Sequence, residues 1–569
     1  VSNKQQSNKT VGEIKTLVLL FLAIFALFFF VLLRFPLNNS LFGNIDIWFY
    51  VWQMNDFYNQ HFGNAPFGQI LYPSDKLSNI MESPWGIGLI YSPIKFFIKN
   101  DIWTFYLLSC TVLSLNGVSF YLFLKSFQLH RWVAVAMAFM FAANNFALAN
   151  VENFNAFVLF PGLTAAFCFR NAIISNGRNS FLWLIMSAVL SGIQLYFSMY
   201  FFVFQFIIIG VMILFYWKQL PAFKNLGAWA VVILLMMLPF VTHHQGLPEY
   251  LNKYGLMQSA SFSNEMHSIN VPLDFVRVDP GNLIYPAMND IINPWRYAAR
   301  SGFFGFSSYL LFAIAVVFFW KRKEKKLLFF ALSIIFIAVA ISTGPNLTTS
   351  LYKIKTPIGW VNEWFHNTNA FRHFFRAHLV TIAGVLFLIA LFLNQILVEK
   401  PQRGKVIVVF FTLFFLVENI PVNGELFPSK QFLKPNNELS EALYQVPKES
   451  DLFFLPSCHI ILDEKIVAQP INQINREFIY ATWKNYLPYN IFNGLLSYVT
   501  DEAYENSYYT CSLDSLKLNS LISVNNIDYF IICYNFISKE EREVLLPILK
   551  AQTTLVAENK DFAVFGVNN

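Results

Sequence analysis

From Leu17 to Leu33 the chain carries no polar side chain, and apolar runs of this kind recur as far as residue 420. A run of that length can cross a bilayer only as a helix, because lipid satisfies no backbone N–H or C=O. Such segments lie near residues 17–34, 102–124, 132–149, 156–170, 181–197, 199–217, 227–242, 303–320, 327–342, 377–394 and 405–420. They predict a polytopic α-helical membrane protein with about eleven spans. Composition agrees: 56% of residues are hydrophobic and only 13% charged, against roughly 25% charged in soluble domains.

The net charge of +6 is concentrated in short segments between apolar runs, as at Lys321-Arg322-Lys323-Glu324-Lys325-Lys326. With the N-terminus inside, Lys125/Arg131, Arg170/Arg178, Lys218/Lys224, the Lys321 cluster and Lys400/Arg403/Lys405 all fall inside, as the positive-inside rule requires. Arg34 and Arg300 are the exceptions. The first run is longer than a signal-peptide core and no small-residue cleavage site follows, so it reads as a retained anchor. This orientation leaves three long outer loops, residues 35–101, 243–302 and 343–376, predicted to cover the bundle. A basic face suited to nucleic acid is absent. So are a P-loop, a His-Glu-x-x-His helix, a nucleophile elbow and an inverted repeat, which argues against an ATP-driven pump and several hydrolase classes.

Near residue 421 the composition turns to mixed, globular sequence. Residues 1–420 are read as the membrane domain and 421–569 as a C-terminal extracytoplasmic domain of α/β or α+β type, with strands at Asp528–Cys533 and Asp561–Gly566. Its side depends on whether the last run, with an apolar core from Val406 to Val417, crosses; the basic Lys400–Lys405 stretch marks an inner end. Cys110 and Cys168 read as packing residues. Cys458, Cys511 and Cys533 allow one disulfide in an oxidising compartment.

The residues able to carry chemistry gather in the outer segments. Asp46, in Gly43-Asn-Ile-Asp46-Ile-Trp48, is either a general base at the mouth of the bundle or a helix-end carboxylate paired with Arg34. Asp56 reads as facing water. Tyr72-Pro73-Ser74 and Glu82-Ser-Pro84-Trp85-Gly86 break regular helix, and Glu82 is either a second site carboxylate or a surface group. Glu152, Asn153 and Asn155 sit in a very short turn between two spans. They read equally as a polar hairpin or as a set facing Asp46, able to bind sugar hydroxyls or a divalent ion. Gln194, Tyr196, Ser198 and Tyr200 mark another outer turn, as interface anchors or substrate-lining groups. Ser342-Thr-Gly-Pro345 opens the third loop, which closes on Phe371-Arg372-His373-Phe-Phe-Arg376. On a helix Arg372 and Arg376 share one face, and they read as a phosphate site or as snorkelling arginines.

Taken in order, these landmarks resemble the GT-C class of membrane glycosyltransferases, and in particular its large bacterial families. Oligosaccharyltransferases, protein O-mannosyltransferases and aminoarabinose transferases share that architecture. The likeness covers nearly the whole chain, through short motifs whose order is more specific than any one of them. It implies inverting transfer of a sugar from a polyprenyl-phosphate donor to a glycan, lipid or protein acceptor, at the outer face of a bacterial inner membrane. Asp46 matches the catalytic aspartate, and Arg372 and Arg376 match residues near the donor phosphate. Glu82, Glu152, Asn153, Asn155, Tyr196, Tyr200 and His373 are the implied substrate contacts. Relatives often carry His-x-Asn where this chain has Asn153-Phe-Asn155. The resemblance is therefore compatible with a divalent ion, magnesium or manganese, on Asp46 and Glu152, and with no metal. The rival readings are a flippase for a lipid-linked saccharide and an inactive scaffold of the same fold.

Overall fold

The computed structural model describes residues 2–37, 40–42, 51, 54–55, 57–58, 62, 85–151, 154–244, 256–258, 303–322, 325–343, 346–348, 353–355, 374–420, 426–428, 437–448, 450–455, 461–462, 465–466, 490–491, 498–500, 527–534 and 539–567. The main helices described as far as Asn419 are α1 (Ser2–Leu32), α2 (Trp85–Phe97), α3 (Asp101–Lys125), α4 (Arg131–Ala142), α5 (Asn145–Ala149), α6 (Phe160–Ile174), α7 (Gly177–Phe197), α8 (Met199–Tyr216), α9 (Phe223–His244), α10 (Phe306–Trp320), α11 (Lys326–Ser342), α12 (His378–Glu399) and α13 (Pro401–Asn419). Their ends obey ordinary helix chemistry. Asn100 caps α3, accepting from Trp103 N at 3.1 Å, while Asp101 opens the helix and Lys125 closes it, each matched to the dipole. Pro161 and Pro401 sit in the first turns of α6 and α13, where a missing N–H costs nothing.

The core is organised around α12. Every residue from Phe374 to Leu393 is buried, and the helix packs against α4, α8, α10, α11 and α13. A helix apolar on all sides belongs at the centre of a bundle. By contrast α1 and α9 are largely exposed along their spans, as lipid-facing helices should be. Phenylalanine fills the interior: Phe120 stacks on Phe141 at 4.6 Å, and Phe127 and Phe330 meet Phe387 of α12 at 4.7 and 5.5 Å. Lys400 alone joins α12 to α13, a turn tight enough that a Cβ on Gly404 would lie 2.6 Å from the Leu397 backbone.

Seven described helices are long and apolar enough to cross a membrane, which makes this a polytopic membrane protein. The expected total of about eleven rests on adding α6, α10, α11 and α13. A 15-residue helix such as α6 is only about 22 Å long, against roughly 30 Å of hydrocarbon. Ser40–Phe42, just past α1, pairs antiparallel with Leu426–Pro428, just past α13. Leu256–Gln258, beyond α9, pairs antiparallel with Tyr498–Thr500.

Beyond α13 a five-stranded mixed sheet forms from β1 (Asp451–Leu455), β2 (Asn490–Ile491), β3 (Tyr529–Cys533), β4 (Thr553–Glu558) and β5 (Phe562–Val567), in the order β4-β5-β3-β1-β2. The two strands expected at Asp528–Cys533 and Asp561–Gly566 are β3 and β5. β3 lies parallel to β1 and antiparallel to β5, and β1 lies parallel to β2. Alternate residues serve two cores. Leu452, Phe454, Ile531, Phe562 and Val564 pack against Leu439 and Leu443 near the helix α14 (Asn437–Ala442). Phe453, Phe530, Ile532 and Phe565 pack against Leu549 of α15 (Lys539–Gln552). Cys110, Cys168 and Cys533 are buried; Cys458 and Cys511 lie outside the described residues.

Leu41 and Phe427 are register partners, so a Leu41→Cys/Phe427→Cys pair should oxidise to a disulfide. After proteolysis in an intervening loop, the two ends should remain joined on a non-reducing gel, which neither single variant will reproduce.

Candidate active site

The end of the bundle reached by α1 and α13 gathers the buried polar side chains. Arg376 lies in a 3-10 turn, Phe374–Ala377, that leads into α12. Its guanidinium is 2% exposed and sits over the ring of Tyr200 in α8, 4.2 Å from the centroid. Stacking of this kind uses the face of the guanidinium against the ring. Two residues on, His378 packs between Phe146 and Phe304 at ring distances of 5.6 and 6.0 Å.

A carboxylate stands beside this turn. Glu418, the penultimate residue of α13, is 0% exposed. Its oxygens accept from Ser307 N at 3.2 and 3.3 Å and from the Ser307 hydroxyl. The α10 helix has no side-chain cap of its own at Gly305; Glu418 supplies one from another helix, placing negative charge at the positive end of the α10 dipole. Gly305 has φ +97°, and a Cβ there would lie 2.6 Å from Glu418 Oε2. The next residue, Asn419, accepts from Asn145 N at 3.3 Å, joining this corner to α5.

A third group lies at α2. Tyr91 donates to Asn55 Oδ1 at 2.7 Å, Asn55 donates to Asp101 Oδ1 at 3.0 Å, and Lys95 pairs with the same carboxylate. Asn55 and Tyr91 are buried, so the first outer segment is fastened to the start of α3. Close packing reinforces it, since a Cβ on Gly88 would run into the Phe57 ring and one on Gly86 into Phe197.

Of the residues expected to form the site, Asp46, Glu82, Glu152, Asn153, Arg372 and His373 lie outside the described residues, as does Asp56. Asn155 falls in a 3-10 turn, Phe154–Ala156. Tyr196 and Tyr200 flank a one-residue connection: α7 ends at Phe197, α8 starts at Met199, and extended Ser198 caps α8. The two tyrosines part company there. Tyr196 donates to Met236 O at 2.7 Å and meets the Phe240 ring, so it fastens α9, whereas Tyr200 turns inward to Arg376. Arg376 lies in the 3-10 turn ahead of α12, and the face expected to be shared by Arg372 and Arg376 falls outside the described residues with Arg372. Among the described residues no group of three His, Cys, Asp or Glu side chains could hold a metal ion.

Sequence reasoning passed over Asn55, Tyr91, Asn116, Glu418 and Asn419. A signal existed in Asn116 and Glu418, isolated polar residues within or at the end of apolar runs. Such residues are expensive in a membrane and need a partner.

No family model matches the chain, and no curated protein does. Among solved structures it is similar to the apo Archaeoglobus fulgidus oligosaccharyltransferase, at TM-score 0.48 and 13% identity over 91% of this chain and 69% of that one. It is likewise similar to Archaeoglobus fulgidus AglB in complex with an inhibitory peptide and a dolichol-phosphate, at TM-score 0.48 and 12% identity over 97% and 74% of the two chains. Likeness to apo ArnT from Cupriavidus metallidurans has TM-score 0.46 and 10% identity, over 98% of both chains. Both proteins are GT-C glycosyltransferases, the class that the sequence resembles. At TM-scores below 0.5, none of these likenesses fixes what this chain does.

Glu418→Ala should destabilise the bundle by about 3 kcal/mol, since it strips buried, charge-assisted bonds from the α10 terminus. Ser307→Ala, which keeps the backbone bond, should cost about 1 kcal/mol. Gly305→Ala should be worse than Ser307→Ala, combining roughly 1–3 kcal/mol of backbone strain with the clash. Thermal unfolding of the three variants in one detergent gives the ranking directly.

Proposed function

We propose that this chain is an inverting glycosyltransferase of the GT-C class, transferring a sugar from a polyprenyl-phosphate donor to an acceptor at the extracytoplasmic face of a bacterial inner membrane. The observation that carries the reading is Arg376, a guanidinium enclosed at the loop end of a membrane bundle and seated on Tyr200. A cation is costly at that depth, and an ionisable residue kept inside a membrane bundle is by default a functional-site candidate. The order of outer-loop motifs supports the same class.

In this scheme the polyprenyl chain lies along the lipid-facing helices and its phosphate reaches the third loop, where Arg372 and Arg376 stabilise the charge that builds on the leaving phosphate. Asp46 takes the proton from the acceptor hydroxyl, or orients an acceptor amine, as it attacks the anomeric carbon from the opposite side. Glu82, Glu152, Asn153, Asn155, Tyr196, Tyr200 and His373 are assigned to the sugar and the acceptor. A divalent ion, if used, would be held by Asp46 and Glu152 and would neutralise phosphate charge. The division into a membrane domain, residues 1–420, and a C-terminal domain, residues 421–569, belongs to the same proposal, the second domain selecting the acceptor.

Purified protein in liposomes, given a panel of polyprenyl-phosphate sugars, should transfer label to an acceptor. Asp46→Asn should lower kcat by about 10²–10⁴-fold, and Arg376→Gln by about 10²–10³-fold. A chelator tests the ion. Transfer unchanged in Asp46→Asn overturns the assignment of the base. No transfer by the folded wild type from any donor, with saccharide-lipid moved across the bilayer, would establish the flippase instead; neither activity would leave the scaffold.

A further inference from the structure

At the end of the bundle opposite Arg376, two cations share one aromatic ring. Tyr216 closes α8, and along that helix it lies about 24 Å from Tyr200. The Arg170 guanidinium of α6 sits 4.2 Å from the Tyr216 centroid, and the ammonium of Lys326, the first residue of α11, sits 4.1 Å from it. The two like charges are thus held within about 8 Å of each other, where they repel. Phe127, in the turn after α3, offers Arg170 a second ring at 5.2 Å. Phe330 of α11 backs the Phe127 and Tyr216 rings at 5.6 and 6.2 Å. The α3–α4 turn, α6, α8 and α11 therefore converge on one basic, aromatic niche.

Among the described residues no carboxylate is matched to either cation. Arg322, at the same end, shows the ordinary alternative, an ion pair with Glu399 at 2.8 Å. Arg170 instead keeps Nε and Nη1 enclosed with no hydrogen-bond partner. A ring attracts a cation through its quadrupole but does not replace a lone-pair acceptor, and a charged donor buried without one is costly. Arg170 as a whole is half-buried, and Nη2 is not among its enclosed atoms, so the guanidinium is open at that nitrogen. Nη2 shares one edge of the group with Nε and another with Nη1. An oxyanion arriving there meets an orphaned donor along whichever edge it takes, in the fork geometry that arginine offers to phosphate. Lys326 is exposed and adds a point charge beside it.

We propose that Arg170 and Lys326, set on Tyr216, form a binding site for a phosphate group, separate from the candidate active site. Phosphate brings several acceptor oxygens for the orphaned donors and negative charge to offset the repulsion between the two cations. Arg170 lies about one turn from the end of α6, a depth from which a long basic side chain reaches the headgroup layer. Basic niches between membrane helices suit the headgroups of anionic lipids, and a small soluble phosphate has the same chemistry. The site is independent of the function proposed above, since no step of sugar transfer uses it. An occupied site ties α6 to α8 and α11, so the ligand stabilises the bundle by mass action.

The test uses the full-length protein in a neutral detergent, titrated with phosphatidylglycerol, with phosphatidylcholine and with oleate, an anion that lacks phosphate. Bound lipid is counted by native mass spectrometry, and thermal unfolding is followed on the same samples. Wild type should retain phosphatidylglycerol above the other two and unfold at a higher temperature with it. Arg170→Gln should weaken that retention by about tenfold, the scale of a charge-assisted bond, and Lys326→Gln by about fivefold, the scale of one cation at an anionic surface. Arg403→Gln is the control: it removes the same charge from an exposed position in the first turn of α13 and should retain the lipid as wild type does. Millimolar inorganic phosphate separates the sources. Displacement of the lipid from wild type upholds the site as one for soluble phosphate, and lipid that stays bound upholds it as a headgroup site. Phosphatidylglycerol retained no better than oleate or phosphatidylcholine overturns the proposal, as does a loss in Arg403→Gln equal to that in Arg170→Gln. Should Arg170→Gln fail to fold, the exposed Lys326→Gln decides, and unchanged retention there overturns the site.

Discussion

A helix buried on every side has no direction in which to send a charge. That constraint, imposed by α12, shapes the rest of the bundle. Its apolar circumference gathers the surrounding helices, and the 3-10 turn that leads into it is carried into the interior with Arg376, followed by His378. A guanidinium there cannot snorkel to water, as an arginine at a peripheral helix end would. It is met by the face of Tyr200, and Tyr200 is placed for this by the one-residue break at Ser198 that starts α8. Burial of a hydrophobic helix and retention of a cation at the loop end are two aspects of one arrangement.

Elsewhere at this end, polarity is handled mostly without charge. Asn116, Asn144, Asn150, Gln194 and Asn419 bond backbone groups that helix ends and short turns leave over. Glu418 is the counter-example and shows what a charge needs. Desolvating a carboxylate costs several kcal/mol, and the compensation has three parts: two donors from Ser307, the positive end of the α10 dipole, and a glycine that lets the oxygens come close. Removing the compensation is therefore more damaging than its individual bonds suggest. The Asn55–Tyr91–Asp101–Lys95 group mixes both solutions, a cation and a carboxylate linked to a buried amide and a phenol.

What the sequence disclosed follows from which interactions are local. Hydropathy is a local sum, so the apolar runs and the β-rich segments near Tyr529 and Phe562 were legible. Side-chain direction was not: Tyr196 and Tyr200 are four residues apart and looked like partners, yet a break at Ser198 sends one to α9 and the other to Arg376. Glu418, Asn116 and Asn419 act on residues far along the chain, and a single polar letter in an apolar run does not say which backbone group it will meet. Three-residue strands such as Ser40–Phe42 have no sequence signal at all; their existence depends on a partner.

That last pairing has a temporal meaning. Ser40–Phe42 leaves the ribosome with the first helix, but Leu426–Pro428 follows the last one. At bacterial or eukaryotic rates of synthesis the interval is on the order of tens of seconds. Throughout it Ser40–Phe42 has an open strand edge while the intervening helices are made. A nascent chain lacking only the region beyond α13 would therefore hold its helices and still leave Ser40–Phe42 without its strand partner.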